Sequence, residues 1–497
     1  MNRTTTNPGT ILMKLMSIAA IAASALLSAN AIAAVQGIVG PTFALQAKAD
    51  YTSQPDGAQI YTWGYGCNGT ANTVKSYTAT GTMGPAPICG EMQLPGPTLI
   101  VTEGDTVTVT LTNNLPAAAG NTSILFSGFQ LTSTSGGVAG LRTQEAAQGN
   151  PVTYNFTATK PGTYAYYSGT QSDLQIEMGL FGAVVVKPAP TTANANYSAP
   201  TTCSRGPNAL STTAYDNDAT CYDREFLFQF SEMDSRVHRD VLDQVNACLT
   251  APCDALQVTM EPYRANYFLI NGRSMPDLMD TPYAPAYPNQ PYNGNPQMHP
   301  GEKLLMRVVG QGRWQHPFHF HGNHARVLAR DGNLLLSAAD GTSLAGPLLF
   351  TIATVSGQSV DAIFTWTGKG LNWDVYNHTA GDGSACTPDA NGYHSVKTDP
   401  NYGEWCADHN KAIPVTPPDP QIVANGQWYG GSPYLGLNGF NPVNLPPGTL
   451  NQNPGAGYAY MWHSHNEREI TTNDVFPGGM LMMLIVQPPQ FPIDETQ

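Results

Sequence analysis

Apolar and polar positions alternate over much of the chain. Thr106–Leu111 (TVTVTL) switches at every residue, the pattern of a half-buried strand, and Pro97 and Gly104 punctuate its approach. Val152–Ala158 (VTYNFTA) alternates again, Pro161-Gly162 predicts a turn, and Thr163–Tyr167 a further strand. Leu180–Val186 (LFGAVVV) closes the set. Residues 35–190 therefore predict one Greek-key sandwich. A Pro/Thr/Asn-rich stretch, 188–200, reads as a linker. Strand patterns resume in Glu225–Glu232 (EFLFQFSE) and Tyr267–Gly272 (YFLING), which predict a second unit over 191–290. A third, over 291–490, holds the strand Lys303–Val309 and a hairpin at Arg326–Ala329 turning on Asp331-Gly332. Residues 377–453 are irregular and rich in Pro, Gly and Asn, an insertion long enough to be functional or a disulfide-pinned cover.

Composition agrees with an all-β class. Only 12% of the 497 residues are charged, while Gly (49) and Pro (40) are frequent, as short strands and tight turns require. The length exceeds what one core serves. Residues 1–34 resemble a secretory signal peptide: Arg3 and Lys14, the apolar run Leu15–Leu27, then small residues offering cleavage after Ala31 or Ala33. That run is too short for the roughly 20 residues of a spanning helix, so no membrane span is expected in the mature chain, and a periplasmic or extracellular location is. Eight cysteines in such a chain predict disulfides, with nearest neighbours paired: Cys67–Cys89, Cys203–Cys221, Cys248–Cys253 and Cys386–Cys406. The net charge of −14 with no basic run disfavours nucleic acid as a partner and is compatible with metal ions.

Five of the eleven histidines fall into two clusters, His316-Pro-Phe-His319-Phe-His321 and His463-Ser464-His465. Residues i and i+2 of a strand share a face, so two such strands side by side would converge four imidazoles. Neutral imidazoles without thiolate suit Cu(II), Zn or Ni. His324, His378, His394 and His409 are isolated and read as loop or surface residues.

HPFHFHG, preceded by PGEKLLMRVV and followed by RVLARDG, resembles the third copper motif of laccases and other multicopper oxidases. WHSH with PGGMLMMLIV beyond it resembles the fourth, whose usual form is His-Cys-His. YFLINGRSMPD is similar to the end of the family's second domain, and LPGPTLIVTEGDTVTVTLTNNLP to the start of its first. The resemblance implies three cupredoxin domains and copper as cofactor. It implies a type 2 ligand at His319, type 3 ligands at His321, His463 and His465, and a type 1 (blue) ligand at His316. It also exposes departures. Leu125 and Ser127 stand at one pair of family histidine positions, Tyr167 and Gly169 at another. Ser464 replaces the blue-site cysteine, and Glu469 stands at the second blue-site histidine. Met480 is similar to the axial methionine but is spaced farther off than usual, and reads equally as a core residue.

The expectation is thus an exported copper-binding protein with a reduced, histidine-only site, lacking blue copper, with non-blue oxidoreductase chemistry as its extension. The alternative is a non-catalytic structural or interaction protein on a cupredoxin scaffold. A protein partner or a homo-oligomer is compatible with either, the latter supplying missing ligands across an interface.

Overall fold

The computed structural model describes residues 35–69, 89–189, 203, 212–250, 255–370, 372–374, 376, 385–412, 431–434, 457–489, 491 and 493. The expected leader, most of the 188–200 linker and much of the 377–453 insertion lie outside the described residues. The all-β class holds. Among the described residues, no helix is long and apolar enough to cross a membrane.

The first sandwich has two five-stranded sheets. In spatial order one runs Ile38–Val39, Leu99–Thr102, Phe181–Lys187, Gly162–Tyr167, Leu125–Phe126, and the other Gln59–Cys67, Thr42–Ser53, Thr106–Asn114, Pro151–Thr157, Thr132–Gly136. The alternating strand behaves as its sequence predicts: Val107, Val109 and Leu111 are buried, and the intervening threonines face outward opposite Pro151–Thr157. Parallel pairing of Thr42–Ser53 with Thr106–Asn114, and of Leu99–Thr102 with Phe181–Lys187, gives the crossovers of a Greek key.

The second sandwich pairs a sheet built on Tyr267–Ile270, Arg224–Met233, Lys303–Gly310, Ser359–Thr365 and Ala325–Arg330 with one running Gln297–Met298, Leu481–Val486, Gly457–Ser464, His316–Phe320, Thr351–Thr354. Residues 191–290 were expected to form a sandwich of their own. Instead Arg224–Met233 pairs in parallel with Lys303–Gly310. Its apolar residues Phe228 and Phe230 join Leu304, Met306 and Phe318 in one core. The described strands therefore build two sandwiches, because the EFLFQFSE segment finds its apolar partners downstream. The predicted hairpin is present, with Asp331 and Gly332 both at positive φ (49° and 70°) as a two-residue turn demands.

Two α-helices among the described residues went unpredicted, the short Ser172–Glu177 and the longer Ser235–Cys248. Ser235–Cys248 is capped by Asp234, whose carboxylate accepts from the Arg236 N–H, and buries Val237, Val241 and Val245 against the first sandwich. It packs on Gln59–Cys67, the edge strand of its sheet, where His238 Nδ1 donates to Tyr61 O (2.6 Å). The pairs Cys67–Cys89, Cys203–Cys221 and Cys386–Cys406 form as expected. Cys248 is disulfide-bonded, and its expected partner Cys253 lies outside the described residues.

The two sandwiches meet across buried charge. Arg307 Nε donates to Glu225 (2.8 Å) and Nη1 to Thr163 Oγ1 (3.1 Å) of the first sandwich. Thr163 donates to Asp361 (2.7 Å), as does the Tyr215 hydroxyl (2.5 Å), and Lys187 pairs with Glu225. Burial opposes ionisation of Glu225, but Lys187 and Arg307 outweigh it and hold the carboxyl at about 2. Removing one partner strands the others. Glu225→Leu is expected to cost about 3–5 kcal/mol in urea unfolding, and Glu225→Leu/Arg307→Met less than the sum of the two single changes.

Candidate metal centre

Register builds the site. His316–Phe320 runs antiparallel to Gly457–Ser464 with His319 directly opposite His463 and Phe318 opposite Ser464. His321 and His465 lie just past opposite ends of this pairing, tied by His321 N–H to Met461 O (3.3 Å) and His465 N–H to Pro317 O (2.8 Å). The i, i+2 spacing puts each second histidine on the same face as the first. The ring centroids of His319 lie 4.9, 5.5 and 4.8 Å from those of His321, His463 and His465. His319, His321 and His463 are buried; His465 is exposed at the rim with His324 and Phe350.

Neighbouring groups orient the rings. His319 Nδ1 bonds Thr351 Oγ1 (2.8 Å) and His463 Nδ1 donates to Ser464 O (2.7 Å), which turns each Nε2 inward. His463 Nε2 lies 3.3 Å from His321 Nε2, and ligand atoms of His319, His321 and His463 all lie within 4.8 Å of one another. The 3.3 Å separation matches the edge of a tetrahedron with metal–nitrogen bonds of about 2.0–2.1 Å. Burial, then the adjacent imidazoles, lower His319 to about 4, and burial lowers His463, so both stay neutral at ordinary pH and able to bind a cation. The donor set fits a transition metal.

His316 sits apart from this group. Its ring is fully buried, with Nε2 2.9 Å from Glu232 Oε2 and Nδ1 2.9 Å from Glu469 Oε2. Ser464 donates its hydroxyl to the same Glu469 oxygen (2.5 Å). Met480 is a core residue of the second sandwich. These residues do not fit a blue copper: no thiolate is present, and both ring nitrogens are taken.

The first sandwich brings no histidine to the cluster. Leu125 pairs with Tyr167 across two strands, and Leu125 Cγ lies 2.8 Å from where a Cβ on Gly169 would stand. Tyr166 is buried and donates to Pro97 O (2.7 Å). His394 is bound to Asp399 (2.9 Å) and accepts from Thr387 N–H (2.8 Å), and His409 lies 3.2 Å from Glu404. The sulfurs of Cys386 and Cys406, beside His394, are spent in their disulfide. His378 lies outside the described residues. Sequence reading missed Glu232 and Thr351. Thr351 carries no local signal, and Glu232 shares its strand with Arg224, Glu225, Gln229 and Ser231, so nothing local marks it out either.

Residues 73–191 match the family profile described as Multicopper oxidase. The chain is 37% identical over 100 residues to laccase abr2 of Aspergillus fumigatus, a stretch covering 20% of this chain and 16% of that protein. It is 39% identical over 94 residues to copper resistance protein A of Pseudomonas syringae pv. tomato, 19% of this chain and 15% of that one. Over these stretches the chain is similar to the multicopper oxidase family. The matched stretches are thus about a sixth of these relatives' length, and copper is the cofactor of the family's members. Among solved structures it is similar to a blue copper oxidase from Nitrosomonas europaea (TM-score 0.46, 16% identity, 89% of this chain and 85% of that one).

Because His319 must be neutral in the folded protein and its folded value lies below the ordinary 6.5, the unfolded chain binds more protons between those pH values. Stability of the metal-free protein is therefore expected to be full above about pH 6.5 and to fall as pH drops towards 4. Urea midpoints across that range should show the slope, and His319→Gln should flatten it.

Proposed function

We propose that this chain is an exported copper-binding protein holding its metal at a reduced, histidine-only site formed by His319, His321, His463 and His465, with no type 1 blue copper. The observation that carries this reading is the convergence of four imidazoles, two of them directly opposed, on strands of one sandwich. The ligands expected of the first domain are replaced by Leu125, Ser127, Tyr167 and Gly169, so the site is smaller than a trinuclear cluster.

Copper bound here supplies one-electron redox and Lewis-acid character. The chain's residues do the rest. Thr351 holds the ring of His319 in place, and the Ser464 carbonyl fixes the tautomer of His463. Burial on one side excludes water, while His465 leaves the other side open. An open, imidazole-bound cupric ion supports copper carriage and, as an extension, non-blue oxidoreductase activity on small molecules. The leader-like segment 1–34 supports export to the periplasm or beyond the cell. A homo-oligomer or a protein partner covering the open rim is compatible with this arrangement. The second reading, a non-catalytic interaction protein, is favoured by the loss of blue-site chemistry at Ser464.

Loading the purified mature chain with copper is expected to give stoichiometric metal with a type 2 paramagnetic resonance signal and no intense thiolate-to-copper visible band. His463→Ala/His465→Ala should abolish retention. A chain that folds fully without binding copper supports the interaction protein instead, and copper retained in the double variant overturns the assignment of this site.

A further inference from the structure

The environment of His316 is built for something other than a metal. Its ring is fully buried in the second sandwich against Phe230 (centroids 6.4 Å apart, 30° between planes). Each nitrogen faces a carboxylate oxygen at 2.9 Å, Glu232 on the strand Arg224–Met233 and Glu469 on the short turn Glu467–Ile470. Both acids are saturated. Glu232 Oε1 accepts from the N–H groups of Arg313 (2.7 Å) and Trp314 (2.9 Å) and faces the Tyr263 hydroxyl at 3.5 Å. Glu469 Oε1 accepts from Asn466 Nδ2 (2.9 Å), and Oε2 also accepts from Ser464 Oγ. Behind Tyr263 stand Glu177, hydrogen-bonded to it at 2.6 Å, and the Arg313 guanidinium over its ring at 4.4 Å.

A carboxylate only accepts, so a ring bonded to one on each side donates from both nitrogens. We propose that the position where the family resemblance puts blue copper is, in this chain, a closed and metal-free ion triad, Glu232–His316–Glu469, in which the doubly protonated imidazole stands where the cation would. Ser464 belongs to the triad as a donor and is not an empty ligand position. Burial alone would neutralise His316, yet hydrogen bonds and charge from the two glutamates hold it up at about 9. The triad joins three segments. Glu232 reaches from the opposite sheet, His316 begins the strand bearing His319, and Ser464 lies between His463 and His465. It is a redox-silent clamp beneath the histidine cluster.

This inference rests on the reading that copper goes to the four-histidine cluster, and its test separates the two. Nitrogen-15 NMR of the imidazoles in the unaltered chain at pH 7 is expected to show His316 protonated on both nitrogens. A neutral, singly protonated ring there overturns the triad. Ser464→Cys, loaded with Cu(II), is expected to show no intense thiolate-to-copper band, because the ring and Glu469 remain locked together; a blue colour from this single change overturns the proposal. If the variant does not fold, the NMR result on the unaltered chain decides alone. Failure of copper to bind His319, His321, His463 and His465 would defeat the proposed function and leave the protonation of His316 unchanged.

Discussion

At the seam between the two sandwiches lies a guanidinium with no access to solvent, and everything above it is aligned by that charge. Arg307 is among the largest fully buried side chains, held by Glu225, Thr163 and Asp361. Such an ion is tolerable in a low-dielectric interior when fixed acceptors meet it, as they do here at Nε and Nη1, while Nη2 has no hydrogen-bond partner among the described residues. The acceptors come from both sandwiches, so the seam has few orientations in which the charge is satisfied. Hydrophobic contact alone is not directional. The ion network supplies direction, with Gln311 donating to Gly182 O (2.8 Å) beside it.

The same logic recurs above the core of the second sandwich. A family that stores a cation in this fold must provide a buried cavity with anionic and neutral donors. In the proposed triad an organic cation, the His316 imidazolium, takes that place, with Ser464 at the thiolate position, Glu469 at an imidazole position and Glu232 added from the opposite sheet. The interior therefore holds paired charge without a metal, one imidazolium between two carboxylates. This explains how the sandwich persists although Ser464 and Glu469 occupy positions that copper chemistry would not accept. The histidine pairs nearby were free to remain, because their geometry depends on strand register and not on the blue site.

Much of this was legible in the chain. Alternation located strands of the first sandwich, and the i, i+2 spacing put each histidine pair on one face of a strand, while only the observed register shows those strands to be adjacent. The division into units was less legible. EFLFQFSE looks the same whether its partners lie upstream or downstream, and only the parallel pairing with Lys303–Gly310 shows which. The helix Ser235–Cys248 carries an apolar repeat of three valines four residues apart, but its mean polarity hid it among loops. His316 presented the reverse problem. Its motif named it as a ligand, while the partners that engage it, Glu232 and Glu469, lie 84 and 153 residues away.

Gly169 and Leu125 constrain one another. With Leu125 in place, any side chain at 169 collides with it: a Cβ there would lie 2.8 Å from Leu125 Cγ, well inside ordinary contact. The two positions are therefore coupled: a side chain at 169 has room only once Leu125 has shifted or been shortened, so the residue at 125 decides what 169 can carry.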